Sequence, residues 1–466
     1  MPLHDTSVRT SRWHGAGGYG ELLRIAFPLI LSTGSWSLQH FVDRMFLAWY
    51  SPEAIAASTP AGILNYTLMS PFIGTAGYVS TFVAQYHGAG RPERIGPSVW
   101  QGLYISLAGA AALAALIPLA EPMFRTIGHG EAIQRHEAIY FSVLCLGALP
   151  GIGAAALAGF FSGRGETWPV MWANLISTAV NIVLDYLLIF GPGPFPELGI
   201  AGAAIATNAS LVAAVVAYAV VIRSASQDDK FRMRRGWRFD AELFSRILRF
   251  GLPSGIQFFI DMAGFSIFLL IVGRLGTRSL AATNVTLNIN TLAFMPMLGL
   301  GMAITVLVGQ YLGRDDPRLA ERCAMSGLHV TLLYMGSIAL LYVLVPGLFL
   351  APYGIYADPR AHEEIGGLAV VLLRFVAVYS LFDVLTIVFA AALKGAGDTR
   401  FVMYMIAGLS AGVLILPSYI AVEVLGLGVL ASWTIGTAYV SILGLAFYLR
   451  FRRGAWKHMR VIERPA

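Results

Sequence analysis

Val83-Ala84-Gln85-Tyr86 closes the second long apolar stretch of this chain, and 225 positions later Val308-Gly309-Gln310-Tyr311 closes the eighth. The same offset pairs Arg24 and Pro28 with Arg249 and Pro253, Ile55-Ala56-Ala57-Ser58 with Leu280-Ala281-Ala282-Thr283, and Pro92 with Pro317. A second offset, of 232, pairs Gly165-Glu166-Thr167 with Gly397-Asp398-Thr399. Copies this long are not solenoid repeats; they read as a duplicated domain. Both run in the same direction. In a membrane the halves are then related by an axis along the membrane normal, with a substrate path between them.

Composition places the chain in a membrane. Of its 466 residues 57% are hydrophobic and 12% charged, with a mean hydropathy of +0.68. Soluble domains carry roughly 25% charge. The 50 glycines suit close helix packing in lipid. Windows of about 17–25 residues, long enough to span a bilayer, fall near 22–48, 55–86, 98–118, 138–161, 168–190 and 199–222. The second half supplies 246–272, 280–311, 323–346, 366–393, 401–421 and 427–449. The expected fold is all-α, about twelve spans in two pseudo-symmetric six-helix bundles. The expected division is an N-terminal lobe over 1–222, a polar connector over 223–245, a C-terminal lobe over 246–450 and a basic tail over 451–466. The second window of each half is long enough to bend, with Pro71 and Pro296 inside. The first apolar stretch follows a polar leader and reads as an uncleaved anchor.

The net charge of +6 reflects topology. Over alternate connections, 25 of the 32 lysines and arginines fall on one side, leaving Arg44, Arg125, Arg135, Arg274, Arg278, Arg360 and Arg374 for the other. The positive-inside rule then puts both termini in the cytoplasm and the protein in the cytoplasmic (inner) membrane. The basic clusters are expected to meet membrane lipid, not nucleic acid. Cys145, Cys323 and the nine scattered histidines show no metal or redox spacing. Gly15-Ala16-Gly17-Gly18-Tyr19-Gly20 fits a dinucleotide fingerprint in letters only, since no strand precedes it. The sequons at Asn65 and Asn208 lie inside windows, out of reach of glycosylation. No Walker motif or intramembrane nucleophile–base constellation is present; neither nucleotide nor cofactor is expected, and an enzyme is not the reading.

Four acids lie within the windows: Asp43, Asp185, Asp261 and Asp383. Each costs about 2.5–3.5 kcal/mol at a helix centre on insertion scales, so each demands a partner or a function. Asp43 could pair with Arg44, and Asp261 could bond Gln257 one turn back. Asn181 and Asp185 share a helix face, with Asn174 a heptad earlier, and Asn284 and Asn288 repeat the four-residue spacing. Such oxygen-rich faces suit a hard monovalent cation or a carboxylate that takes up a proton. Trp36, Gln39, Asn174, Gln257, Asn284 and Asn288 are the candidate lining of a substrate cavity. Met295, Met297 and Met302 read first as packing residues and second as adaptable cavity surface.

Phe41-Val42-Asp43, Ala84-Gln85-Tyr86-x-Gly88-Ala89, Asn181-x-x-x-Asp185, Gly202-Ala203-Ala204-Ile205-Ala206-Thr207 and Leu393-Lys394-Gly395-Ala396-Gly397-Asp398-Thr399 together resemble the multidrug and toxic compound extrusion (MATE) transporters over essentially the whole chain. The resemblance implies twelve helices in two lobes, arranged as a V, that exchange H+ or Na+ for small organic, often cationic, compounds. It implies that Asp43, Asn181, Asp185 and Thr207 match the N-lobe cation site of the DinF-like and archaeal branch, a possible Na+ site. Asp383 matches the tenth-helix acid of the NorM-like branch. That branch usually carries Glu in the seventh helix, where this chain has Asp261, and often Asn where Asp185 stands. A lipid-linked oligosaccharide flippase of the same superfamily is the rival reading, as is an exporter of one metabolite. Flippases of this kind commonly have about fourteen spans and basic central cavities, unlike the acids and twelve windows here.

Overall fold

A computed structural model describes residues 12–224, 228–354 and 359–463. Part of the expected connector (225–227) and the end of the basic tail (464–466) lie outside the described residues. All twelve windows are helical. The N-terminal six are Tyr19–Tyr50; Pro52–Gly77 with Val79–Gly88; Ile95–Ala114; Glu131–Leu146 with Ala148–Ser162; Trp168–Phe190; and Ile200–Ser224. The C-terminal six are Ala241–Gly273; Thr277–Gly313; Pro317–Leu344; Pro359–Ala396; Thr399–Leu409 with its continuation to Val424; and Val429–Arg452. They are numbered below as spans one to twelve.

Among the described residues, nine helices are long and apolar enough to cross a membrane, and ten when the bent fourth span is counted as one. The first two spans fall short because they carry polar side chains that face inward. Ser32, Ser35, Gln39 and Asp43 of span one, and Ser58, Asn65, Ser70 and Thr75 of span two, are all buried. The fourth span bends by 45° at Gly147, three residues before Pro150. Proline cannot donate to the carbonyl four residues back. The Asn208 amide enters at the bend, donating to the Val143 carbonyl at 2.6 Å, and a Cβ on Gly147 would stand 2.0 Å from Asn208 Oδ1. The second span breaks at Tyr78, not at Pro71, whereas the eighth runs unbroken through Pro296.

The two lobes meet where spans two and seven cross and where spans one and two meet span eight. Glycine permits both approaches. A Cβ on Gly74 would lie 2.6 Å from the Cα of Gly255, and one on Gly88 only 2.0 Å from the Gln310 carbonyl oxygen. The repeated Gln-Tyr pair completes the junction by exchange. Gln85 donates to the Gly395 carbonyl at 2.9 Å, and Gln310 to the Gly163 carbonyl at 2.8 Å. Gly163 and Gly395 are themselves equivalent at the 232 offset. Tyr86 donates to Glu463 at 2.7 Å, while Tyr311 donates to Glu21. Both ends of the described chain therefore dock on one face, called here the termini face.

Glu463 is the hub of that face. Arg91 reaches it at 2.7 Å, Arg94 at 3.4 Å and Arg246 at 3.0 Å. The adjoining Val461 amide donates to Gln85 at 2.9 Å. The described part of the connector docks too: Trp100 donates to the Met233 carbonyl at 2.6 Å, and Arg94 pairs with Asp240 at 3.2 Å.

Burial pushes the Glu463 carboxyl up, but the Tyr86 hydroxyl and the Arg91 and Arg94 guanidiniums outweigh it and hold the group below its ordinary 4.5. A lowered carboxylate contributes stability above its unfolded value and loses it as pH falls through the folded one. Protection of the Val461 amide from hydrogen exchange, corrected for intrinsic rate, should therefore hold down to pH 4.5 and fall only in stronger acid. Glu463→Gln should lower it at neutral pH. Gly88→Ala should oppose closure of the termini face by about 1–3 kcal/mol, the cost of overpacking. Spin labels on Arg223→Cys and Arg318→Cys, exposed on that face in opposite lobes, should then report a longer distance.

Candidate functional site

Spans one and five leave the termini face in the same direction and zip together through polar side chains at three- and four-residue steps. Ser32 accepts from Asn174, and Thr178 donates to the Ser35 carbonyl at 3.3 Å and to Gln39 Oε1 at 3.4 Å. The seam ends at Asp43, Asn181 and Asp185. Asn181 and Asp185 are wholly buried, and Asp43 is 7% exposed. The two carboxylates are close enough to act on one another. Tyr140 of the bent fourth span faces Asp43 and lies near Asp185.

This cluster is electrostatically incomplete. Asp43 Oδ1, both side-chain atoms of Asn181 and both oxygens of Asp185 are buried without a hydrogen-bond partner. Burying a carboxylate without compensation is costly enough that the group takes up a proton or a cation instead. Arg44, the sequence neighbour that could have neutralised Asp43, is exposed and forms no ion pair with it among the described residues. Thr207 is half-buried on span six, and no hydrogen bond joins its hydroxyl to the acids among the described residues. Gln39 and Asn174, named as cavity candidates, take part in the seam inside the N-terminal lobe.

The C-terminal lobe presents the opposite case. Gln257 donates to Asp261 at 2.6 Å, as the four-residue spacing allowed, and accepts from the Lys394 ammonium at 3.2 Å. Asp383 on span ten lies within electrostatic reach of Asp261, and Tyr439 of span twelve faces both. Asn290 donates to Tyr379 at 3.1 Å, beside Asp383. Asn284 and Asn288 are exposed, with no hydrogen-bond partner among the described residues. Met297 is buried and Met302 half exposed, so the methionines do not share one surface. Trp36, 41% exposed, packs against His40 at 5.0 Å and Tyr66 at 5.5 Å. Tyr66 meets Phe258 of the other lobe at 5.8 Å, so an aromatic group lies across the junction.

Three side chains escaped the sequence: Tyr140 and Lys394, which meet the acids, and Glu137, whose partner is His129. Tyr140 carries no signal before the fourth span is folded against the first. Lys394 counts as a basic residue at a helix end, yet its ammonium turns back into the lobe. Glu137 stands one residue outside its window; it is fully buried and bonded to His129 at 2.7 Å.

The MatE family model matches residues 28–187 and 253–420, one stretch in each lobe. The chain belongs to this family of membrane transporters. It is 29% identical to a probable multidrug resistance protein NorM of Bradyrhizobium diazoefficiens over 94% of this chain and 95% of that one. It is 26% identical to the like-named protein of Thermotoga maritima over 95% and 94%. A MOP superfamily transporter from Pyrococcus furiosus has the same fold at TM-score 0.86, with 20% identity over 96% of this chain and 98% of that one. An outward-facing multidrug resistance MATE family transporter matches at 0.85, with the same identity and coverage.

The incompleteness of the N-lobe cluster has a measurable consequence for this MATE protein. Asp185→Asn removes an uncompensated charge and should leave the thermal midpoint in Na+-free neutral detergent solution equal to or above that of the wild type. Asp398→Asn removes the negative charge that Arg450 reaches at 2.8 Å and should lower stability by about 1–3 kcal/mol.

Proposed function

We propose that this protein is a secondary active multidrug exporter that moves small organic, cationic or amphiphilic compounds out of the cell in exchange for H+ or Na+. The observation that carries the reading is the set of unpartnered atoms on Asp43, Asn181 and Asp185. Two carboxylates and an amide oxygen suit Na+, a hard cation that takes oxygen ligands, and either carboxylate can instead take a proton. Thr207 would contribute only after a shift of span six. Asp261 and Asp383 form the second coupling pair. The aromatic group around Trp36, with the acids of the C-terminal lobe, suits cargo that is flat, apolar and positively charged. The names of the relatives support export of drugs. We assign the termini face to the cytoplasm of the inner membrane on the strength of the charge asymmetry, which leaves the lobe division near 1–222 and 246–450.

Exchange follows from differential affinity: a bound cation favours the conformation that releases cargo, and cargo favours the cation-free one. A membrane potential supplies about 2.3 kcal/mol per charge per 100 mV, so one or two entering cations drive appreciable export without nucleotide. The flippase reading is the weaker one, because Lys394, which reaches toward the C-lobe acids, is already engaged by Gln257.

Proteoliposomes loaded with a panel of cationic dyes separate the possibilities. Efflux should follow an imposed pH gradient or an imposed Na+ gradient, and Asp185→Asn should uncouple it. Efflux indifferent to both gradients would remove the antiporter reading.

A further inference from the structure

Lys394 stands where the C-lobe acids and the closed termini face meet. Its ammonium is 3.2 Å from Gln257, whose amide holds Asp261 at 2.6 Å. Its own carbonyl accepts the Tyr78 hydroxyl of the N-terminal lobe at 2.6 Å, and the next carbonyl, Gly395, accepts from Gln85 at 2.9 Å. The Gly395 turn also lies against span eight, where a Cβ would come within 2.6 Å of the Thr305 carbonyl oxygen. One helical turn thus carries both the inter-lobe clamp and a tether to the acid.

We propose that Lys394 is the positioning residue through which the charge state of Asp261 holds the termini face shut. The proposal rests on the reading of Asp261 and Asp383 as coupling acids. A half-buried ammonium is tolerated while an anion compensates it. Asp261 supplies that anion, relayed by Gln257. Its surroundings otherwise comprise Asp383 from span ten and Tyr439 from span twelve, while Tyr78 faces the lysine's own turn and Arg450 engages Asp398 just beyond it. A proton or cation on Asp261 removes the compensation. The ammonium then gains by withdrawing toward water beyond the helix end, where Arg400 is the first exposed residue, since long basic side chains readily reach an interface. That withdrawal unsettles the turn whose carbonyls Tyr78 and Gln85 clamp. Neutralising the acid therefore opens the termini face, and a charged acid closes it.

The test uses the full-length chain in lipid, with spin labels on Arg223→Cys and Arg318→Cys. Distances are measured at alkaline and acid pH, with and without Na+. The labelled parent should lengthen on acidification or Na+ addition. Asp261→Asn should be long under all conditions. Lys394→Gln should also be long and lose the response, and Lys394→Arg, which keeps the charge, should restore it. A structural defect alone would not track charge in this way. A Lys394→Gln variant that responds with the parent's amplitude, while Asp261→Asn is fixed, overturns the proposal and leaves the acid's role standing. An Asp261→Asn variant that responds and transports like the parent overturns the C-lobe reading itself.

Discussion

Helix ends in or near a membrane leave carbonyl groups that no water in the hydrocarbon can satisfy. In this protein the helices that end at the lobe junction solve that problem for one another. Gln85 of the first half satisfies Gly395 of the second, and Gln310 of the second satisfies Gly163 of the first. Because the bonds cross between lobes, neither bundle is complete on its termini face until it meets the other. The closed junction is therefore a defined state, held by hydrogen bonds and by glycine contacts with no room for a side chain. Separation of the lobes there must expose those carbonyls to water.

The two sets of intramembrane acids differ in how far they are satisfied. Asp261 is bonded to Gln257 and compensated by Lys394, so its neutralisation disturbs an existing network. In the cluster around Asp43 and Asp185 five polar atoms lack partners, and under the proposed exchange an arriving ion would complete it. A site that is completed by binding and a site that is broken by it bias a conformational equilibrium in different ways. Under the proposed exchange, each supplies the differential affinity for two states that coupling requires.

Much of this was legible in the chain. The Gln85/Gln310 equivalence, the twelve windows and the intramembrane acids are local or periodic properties, and periodicity survives without coordinates. Asn181 and Asp185 share a face because a helix repeats every 3.6 residues. The seam was not legible, because Ser32, Ser35 and Gln39 are unremarkable until the fifth span is laid alongside them. Lys394 was read as a loop charge because its position at a helix end is visible in sequence, while the direction of its side chain is not.

The sequence by itself determined that the chain is a duplicated, membrane-spanning helical protein with acids placed where lipid penalises them. Hydropathy, repeat offsets and charge asymmetry are sums over residues and do not depend on packing. Only the tertiary structure decided which acid is compensated. Asp43 keeps an unpartnered oxygen although Arg44 adjoins it in sequence and acts on it through space, while Asp261 is hydrogen-bonded through Gln257 to a lysine 133 positions away. Electrostatic compensation depends on distance through space and on the direction a side chain takes from its helix, and neither quantity exists before the lobes are assembled.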